Sequence, residues 1–184
     1  MTAERLLEGP QAHLGDPGQP SGVVRLGGPL LYARLVEAVE RGSVDVAVYA
    51  TEAAATEGVS VGGLPLTWHA VPGWEPPTAP APVPLVAIED PCAIRRRAIA
   101  TLAEHGVPAS VVGDAGYLAG VLDIARTGQG VALLAAVGPA PDGLSPYSGL
   151  PPVPPIRMSA LARPGADPAT VEAAFSAVRD LLRP

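Results

Sequence analysis

The chain lacks lysine and asparagine, and it has one cysteine, Cys92, and three histidines, His13, His69 and His105. Schiff-base chemistry, a pyridoxal-phosphate site and a P-loop all need the missing lysine amine. A single cysteine excludes an internal disulfide and any zinc site built on several thiolates. Since no two histidines stand at ligand spacing, the sequence predicts neither a bound metal nor a cofactor.

Positive charge and long apolar runs are also scarce. The chain has 12 basic residues, all arginine, against 18 acidic residues, and its formal net charge is −6. Direct nucleic-acid binding is therefore not expected, because phosphate recognition needs a clustered positive surface. No run approaches the roughly 18 apolar residues of a membrane span, and Met1–Leu14 holds no signal-peptide core. We expect a cytoplasmic protein without membrane contact.

The apolar residues that are present predict an α/β fold. Of 184 residues, 48% are hydrophobic and 16% are charged, which is enough to bury one core or the cores of two small lobes. Strands are predicted at residues 23–26, 44–49, 64–71, 85–88, 109–112, 131–134 and 156–162. Helices are predicted at residues 30–41, 92–105 and 117–127, and in a last segment with Asp167 as N-cap and Pro168 at N1.

Two proline-rich stretches, within residues 72–84 and 139–155, bracket a self-contained strand–helix–strand–helix–strand block. This arrangement predicts a flexible tail at 1–21, a shortened lobe I at 22–71 plus 156–184, and a lobe II at 72–155. The lobes would enclose a cleft at the carboxyl ends of strands, where helix N-termini point at a ligand. The alternative is one continuous sheet with two long surface loops.

Five segments, in chain order, carry a family pattern: SGVVRLGGP at 21–29, RGSVDVAVY at 41–49, LPLTWHAVP at 64–72, PLVAIEDPCAIRRRAIATLAEHG at 84–106 and LAGVLDIARTGQGVALLA at 118–135. Together they resemble the effector-binding domain of LysR-type transcriptional regulators. The resemblance implies a two-lobed type II periplasmic-binding-protein-like fold with a hinge of two crossing strands. It also implies a small organic ligand bound between the lobes.

The chain departs from this family in two places. The DNA-binding winged helix-turn-helix of the family has no counterpart before residue 21. The segment between the first two predicted strands is shorter than in the family and lacks a helix that belongs to the usual dimer contact. The sequence therefore does not decide whether the chain forms a homodimer, but the family's own dimer contact is not expected.

Asp90 and Asp114 each precede a predicted helix of the second block. One interpretation makes both of them N-caps with a purely structural role. In the family interpretation the same two loops line the cleft, where a carboxylate ligand would normally accept N–H donors at a helix start. Two aspartates at that place would repel an anion, which favours a neutral, cationic or polar-aromatic ligand over a dicarboxylate.

Cys92 stands at a predicted helix start and is followed by the arginines of 95–97. Positive charge of this kind favours the thiolate of a nucleophilic cysteine, whereas the structural alternative is a small, half-buried side chain. We interpret the arginine triplet itself as a solvated helix face.

The remaining candidates come from turns and from the predicted hinge strand. Gly28 would offer a backbone amide in a tight turn, and Thr51 a polar contact after a strand. His69, beside Trp68, would face the cleft or lie exposed outside a core tryptophan. The candidate ligand-binding residues are Gly28, Thr51, His69, Asp90, Cys92, Asp114, Gly116 and Tyr117.

Three hypotheses about function remain. The leading one is a small-molecule-binding module similar to the LysR-type effector domain, without its helix-turn-helix. The second is an enzyme of small-molecule metabolism that has co-opted the same scaffold, since fold alone does not decide function. The third is a truncation with no separate role. No residue set requires an acid–base or covalent mechanism, so no catalytic residue is assigned.

Overall fold

The structure, a computed structural model, describes residues 23–24, 29–50 and 58–183. These residues form two compact units. Unit 1 runs to Leu64 and resumes at Ile156, and unit 2 is Pro65–Pro155. The described elements, in chain order, are β1 Val23–Val24, α1 Pro29–Glu40, β2 Val46–Ala50, β3 Val59–Leu64, β4 Leu66–Ala70, β5 Val83–Ile88, α2 Ala93–Glu104, β6 Ala109–Ala115, α3 Leu118–Arg126, β7 Val131–Ala135, β8 Ser145–Pro146, β9 Ile156–Ala162 and α4 Pro168–Leu181.

Unit 1 is built on a sheet with the strand order β1-β2-β9-β3. Strands β1 and β2 are parallel and connected through α1, which confirms the predicted strand–helix–strand unit. Strand β9 runs antiparallel to both β2 and β3. Leu35 and Val39 of α1 pack with Ala47 and Tyr49 of β2, so the apolar stripe of the helix forms one side of this core.

The last helix confirms its sequence signals. Asp167 is the N-cap of α4, Pro168 occupies its first turn, and the Asp167 carboxylate accepts a hydrogen bond from the Thr170 amide at 2.9 Å. Phe175 and Leu182 are buried on the apolar stripe of this segment. The hydrogen bonds of Thr170 lower the pKa of Asp167 below its ordinary value.

Unit 2 contains a second sheet with the strand order β6-β5-β7-β4-β8. Strand β5, the second in this order, is parallel to β6 on one side and to β7 on the other. The two crossovers through α2 and α3 therefore run in opposite directions along the sheet, which puts the helices on opposite faces because such crossovers are right-handed. Leu85 and Val86, neighbours on β5 that point to opposite faces, are both about 1% exposed, so both faces are covered.

The structure corrects three sequence predictions about strands. The single strand predicted at 64–71 is wrong: it is interrupted at Pro65, which lacks the N–H needed to continue a ladder. Before the proline, β3 pairs with β9; after it, β4 pairs with β7 and β8 of unit 2, although the sequence placed this segment at the end of lobe I. The alternative of one continuous sheet is also wrong, since the described strands form two sheets.

The second proline-rich stretch is packed against β4. The indole Nε1 of Trp68 donates a hydrogen bond to the Pro151 carbonyl at 2.8 Å, and the Tyr147 amide donates to the Trp68 carbonyl at 2.8 Å. The Tyr147 ring also meets Trp74, from the first proline-rich stretch, edge to face at 5.1 Å. Hydrogen bonds and ring contacts thus hold the two stretches, together with the short strand β8 in the second one.

Among the described residues, no helix is long and apolar enough to cross a membrane.

Candidate functional site

The candidate site lies at the carboxyl ends of β5 and β6, which finish side by side with Ile88 opposite Ala115. The β5 end leads through residues 89–92 into α2, and the β6 end leads through Gly116 and Tyr117 into α3. Two strand ends that are 27 residues apart in sequence, Ile88 and Ala115, therefore meet at one edge of the sheet. Ligands bind at such edges in open parallel sheets, because loops and helix N-termini converge there.

Close packing of β6 against α3 decides where the Asp114 side chain goes. A Cβ on Gly113 would lie 2.8 Å from Cγ2 of Ile124, and a Cβ on Gly120 would lie 2.8 Å from Cβ of Ala115. Gly113 and Ala115 therefore face α3, and Asp114 between them points to the other face, toward α2. The two glycines permit this approach because they carry no side chain.

Arg95, in the first turn of α2, lies between the two aspartates. Its Nη1 is 3.0 Å from Oδ2 of Asp114, and its Nε is 3.4 Å from Oδ2 of Asp90. The Arg95 side chain is only 17% exposed, whereas those of Asp90 and Asp114 are 64% and 46% exposed. The Nε atom is fully buried and makes no hydrogen bond of good geometry. One largely buried guanidinium group thus forms ion pairs with two carboxylates that are still exposed to solvent.

The N-cap interpretation of Asp90 and Asp114 is wrong. The N-caps of α2 and α3 are Cys92 and Tyr117, and neither helix start has a side-chain capping hydrogen bond. Asp90 and Asp114 stand two and three residues before those N-caps, too far back in the chain to take that place. Their carboxylates pair with Arg95 instead.

The sequence matches the LysR substrate binding domain over residues 30–183. The chain belongs to this family. None of the curated protein sequences is a significant match to the chain. LysR substrate-binding domains are ligand-binding regulatory domains, and the chain is one of them; the match does not support the enzyme hypothesis.

Solved structures show that this LysR substrate-binding domain has the type II periplasmic-binding-protein-like fold. HinK, a LysR family transcriptional regulator from Pseudomonas aeruginosa, aligns with 15% identity and a TM-score of 0.61, over 83% of this chain and 58% of HinK. The reduced regulatory domain of OxyR2 from Vibrio vulnificus aligns with 13% identity and a TM-score of 0.60, over 82% of this chain and 78% of that one. The reduced OxyR regulatory domain from Pseudomonas aeruginosa aligns with 16% identity and a TM-score of 0.56, over 90% and 98%.

The chain thus spans little more than half the length of HinK. At these identities, each of the three structural similarities is evidence for the fold alone.

Tyr117 and Gly116 lie at the same edge as the carboxylates. Tyr117 is 56% exposed, and its ring lies over the first turn of α3, where a Cβ on Gly120 would be 3.3 Å from the Tyr117 Cζ. A Cβ on Gly116 would lie 3.7 Å from Oε2 of Glu89, so a third carboxylate borders this loop. An exposed aromatic face beside carboxylates can stack on a ligand while the charges select it.

Cys92 fits its structural interpretation. It is a free thiol, 7% exposed, at the N-cap of α2. The Arg95 side chain, one helical turn further on, is directed at Asp90 and Asp114. Burial of this degree is common for free cysteines that fill space in a core.

His69 lies on β4, away from the ends of β5 and β6 in sheet order, and it is 4% exposed. Its Nδ1 is 3.0 Å from the Thr67 carbonyl oxygen. Trp68 is 3% exposed, so the expectation of an exposed histidine outside a core tryptophan is wrong. The other two candidates, Gly28 and Thr51, lie outside the described residues.

Sequence reasoning missed the central residue of the site, Arg95. The triplet of arginines was interpreted as a solvated face, but the Arg95 side chain is largely buried. Asp90 stands five residues before Arg95 in the sequence, a spacing that hints at a local pair. The second partner, Asp114, comes near only because β5 and β6 pair in parallel, and no local spacing encodes that register.

Proposed function

We propose that this LysR substrate-binding domain is the ligand-sensing part of a transcriptional regulator and binds one small organic molecule at the carboxyl ends of β5 and β6. The observation that carries the proposal is that Asp90 and Asp114 share the largely buried Arg95 at the carboxyl ends of β5 and β6, where the exposed Tyr117 also precedes α3. Polar groups converging beside an apolar surface are typical of small-molecule sites. Family membership supports a ligand-binding role for the domain as a whole.

A sensing role requires that the ligand binds the folded domain and leaves unchanged. Such a ligand stabilises the fold by roughly 2.7 kcal/mol at a concentration of about 100 Kd. For a domain of this size that corresponds to a rise in Tm of about 5–10 °C. The net charge of −6 makes this chain an unsuitable surface for nucleic acid, so we infer that it acts through its ligand.

The test is a thermal-shift screen against a library of small organic molecules, followed by mass spectrometry of each stabilising compound after incubation. We expect at least one saturable shift of several degrees from a compound recovered with unchanged mass. Tyr117→Ala should weaken that compound several-fold, because the aromatic face is lost. Ile99→Ala is the matched control: Ile99 is an exposed apolar residue of the same unit, on the second half of α2, and its loss should leave the affinity unchanged.

Two results would contradict the proposal. One is a library in which no compound stabilises the protein. The other is a stabilising compound that is converted to a product, because turnover would favour the enzyme hypothesis instead.

A further inference from the structure

We propose that Asp114, together with Asp90, is a specificity-determining residue that keeps carboxylate ligands out of this site by occupying Arg95. The ligand is then an organic molecule without an anionic group. This inference rests on the proposed function, since it names the ligand class of the same site.

Arg95 is the cation that the structure places between the two loops. Besides the backbone N–H groups of the two helix starts, its guanidinium group is what a carboxylate ligand would bind, since it is the bidentate partner that proteins commonly use for carboxylates. That group is already 3.0 Å from the Asp114 carboxylate and 3.4 Å from the Asp90 carboxylate. Both aspartates belong to the chain and are held by their strands and loops, so an incoming anion would have to displace a permanent partner.

The balance of charge at the edge points the same way. Glu89, Asp90 and Asp114 carry three carboxylates, and Arg95, Arg96 and Arg97 carry three guanidinium groups, so the formal charges of these two segments balance. Around Arg95 itself the balance is negative, because two carboxylates lie within 3.4 Å of its one guanidinium group. A carboxylate ligand that approaches Arg95 therefore meets two like charges, and repulsion of the wrong partner is a common source of specificity.

Tyr117 supplies the attraction that remains. Tyr117 is 56% exposed, and an aromatic face accepts neutral rings by stacking and cations through its negative π-surface. Neither interaction needs Arg95. The edge therefore combines a surface that binds uncharged or cationic molecules with charges that reject anions.

The experiment uses three probes that share one ring and differ in charge: benzoate, benzamide and benzylamine. Each is titrated into the protein while the Tyr117 signal is followed by NMR, for the wild type, Asp114→Asn and the double variant Asp90→Asn with Asp114→Asn. We expect no saturable benzoate binding by the wild type. Benzoate should bind the double variant at least about tenfold more tightly, the effect of one charge-assisted hydrogen bond, while benzamide changes little.

Asp123→Asn is the control for net charge. Asp123 is an exposed aspartate on α3 that pairs with Arg126 at 2.8 Å, so its loss removes one negative charge from the same unit without freeing Arg95. It should leave benzoate binding at the wild-type level. Adding Arg95→Met to the double variant should abolish the gain in benzoate affinity, and circular dichroism of each variant checks that the fold is retained.

The inference is overturned if the wild type binds benzoate as well as benzamide, or if releasing Arg95 brings no gain in benzoate affinity. A gain that survives Arg95→Met, or that Asp123→Asn reproduces, overturns it as well. Failure of the proposed function has a different signature, because it appears as the absence of any stabilising compound for the wild type in the library screen.

Discussion

Replacement of Trp68 by phenylalanine tests whether β4 holds the second proline-rich stretch in place. Trp68 is 3% exposed, and its indole Nε1 donates to the Pro151 carbonyl at 2.8 Å. Phenylalanine removes the donor, which leaves a carbonyl without its partner at a cost of roughly 1–2 kcal/mol. The smaller ring also leaves unfilled space that costs about 1–2 kcal/mol more.

We therefore expect Trp68→Phe to lower the free energy of unfolding by about 2–4 kcal/mol. Urea denaturation measures this directly, with the remaining Trp74 as the fluorescent reporter, since the chain has only two tryptophans. Trp74→Phe is the matched control: it exchanges the same side chains at a half-buried position and keeps an aromatic ring against Tyr147, so it should cost less than about 1 kcal/mol.

Limited proteolysis adds a second readout, because release of the stretch at 139–155 should expose it to cleavage in the Trp68 variant before the rest of the unit unfolds. A loss below about 0.5 kcal/mol, or equal losses for the two variants, would contradict this expectation. The hydrogen bond and the packing of Trp68 would then not hold this stretch.

Three further predictions concern the core, an ion pair and a helix cap. Leu102→Ala should cost about 2–5 kcal/mol in urea denaturation because Leu102 is fully buried in α2, while Ile99→Ala, on the exposed side of the same helix, should cost less than about 1 kcal/mol. Arg163→Gln should lower the free energy of unfolding by roughly 1 kcal/mol, since it breaks a partly exposed ion pair with Asp45 at 2.6 Å that connects the end of β9 to the start of β2. This loss should be smaller in 1 M salt than in low salt, and an equal loss under both conditions would contradict an ionic contribution. Hydrogen bonds from Thr170 lower the pKa of the Asp167 carboxyl from 3.8. The stability that the ionised carboxylate contributes is therefore full above about pH 4 and is lost as the pH falls through the lowered pKa. Asp167→Asn should remove this acid dependence when Tm is compared from about pH 6 to pH 2.5.

Much of unit 2 could be predicted from local sequence. The β5–α2–β6–α3–β7 block follows from apolar spacing and from glycines at helix ends, such as Gly106 and Gly128, which adopt positive φ of 69° and 77°. The same holds for α4, where Asp167 and Pro168 mark the first turn. These signals act within a few residues of one another, and a single sequence displays them directly.

Features that depend on distant pairing could not be predicted. Strand β3 contains two adjacent glycines, Gly62 and Gly63, and forms because β9 offers a ladder on one side. Strand β8 has only two residues and exists through its pairing with β4. The candidate site could not be predicted for the same reason, because Arg95 gains its second partner, Asp114, through the register of β5 and β6. Local sequence rules predict N-caps at Asp90 and Asp114, because such rules contain no information about the ion pairs with Arg95.

An amide chemical-shift map of the ¹⁵N-labelled protein, recorded with a stabilising compound from the screen, shows directly where the ligand binds. We expect the largest changes at residues 89–95 and 114–118, the two segments that the Arg95 ion pairs connect. Changes confined to other parts of unit 2, such as the second half of α2 and the start of β6, would contradict the assignment of the site to this edge.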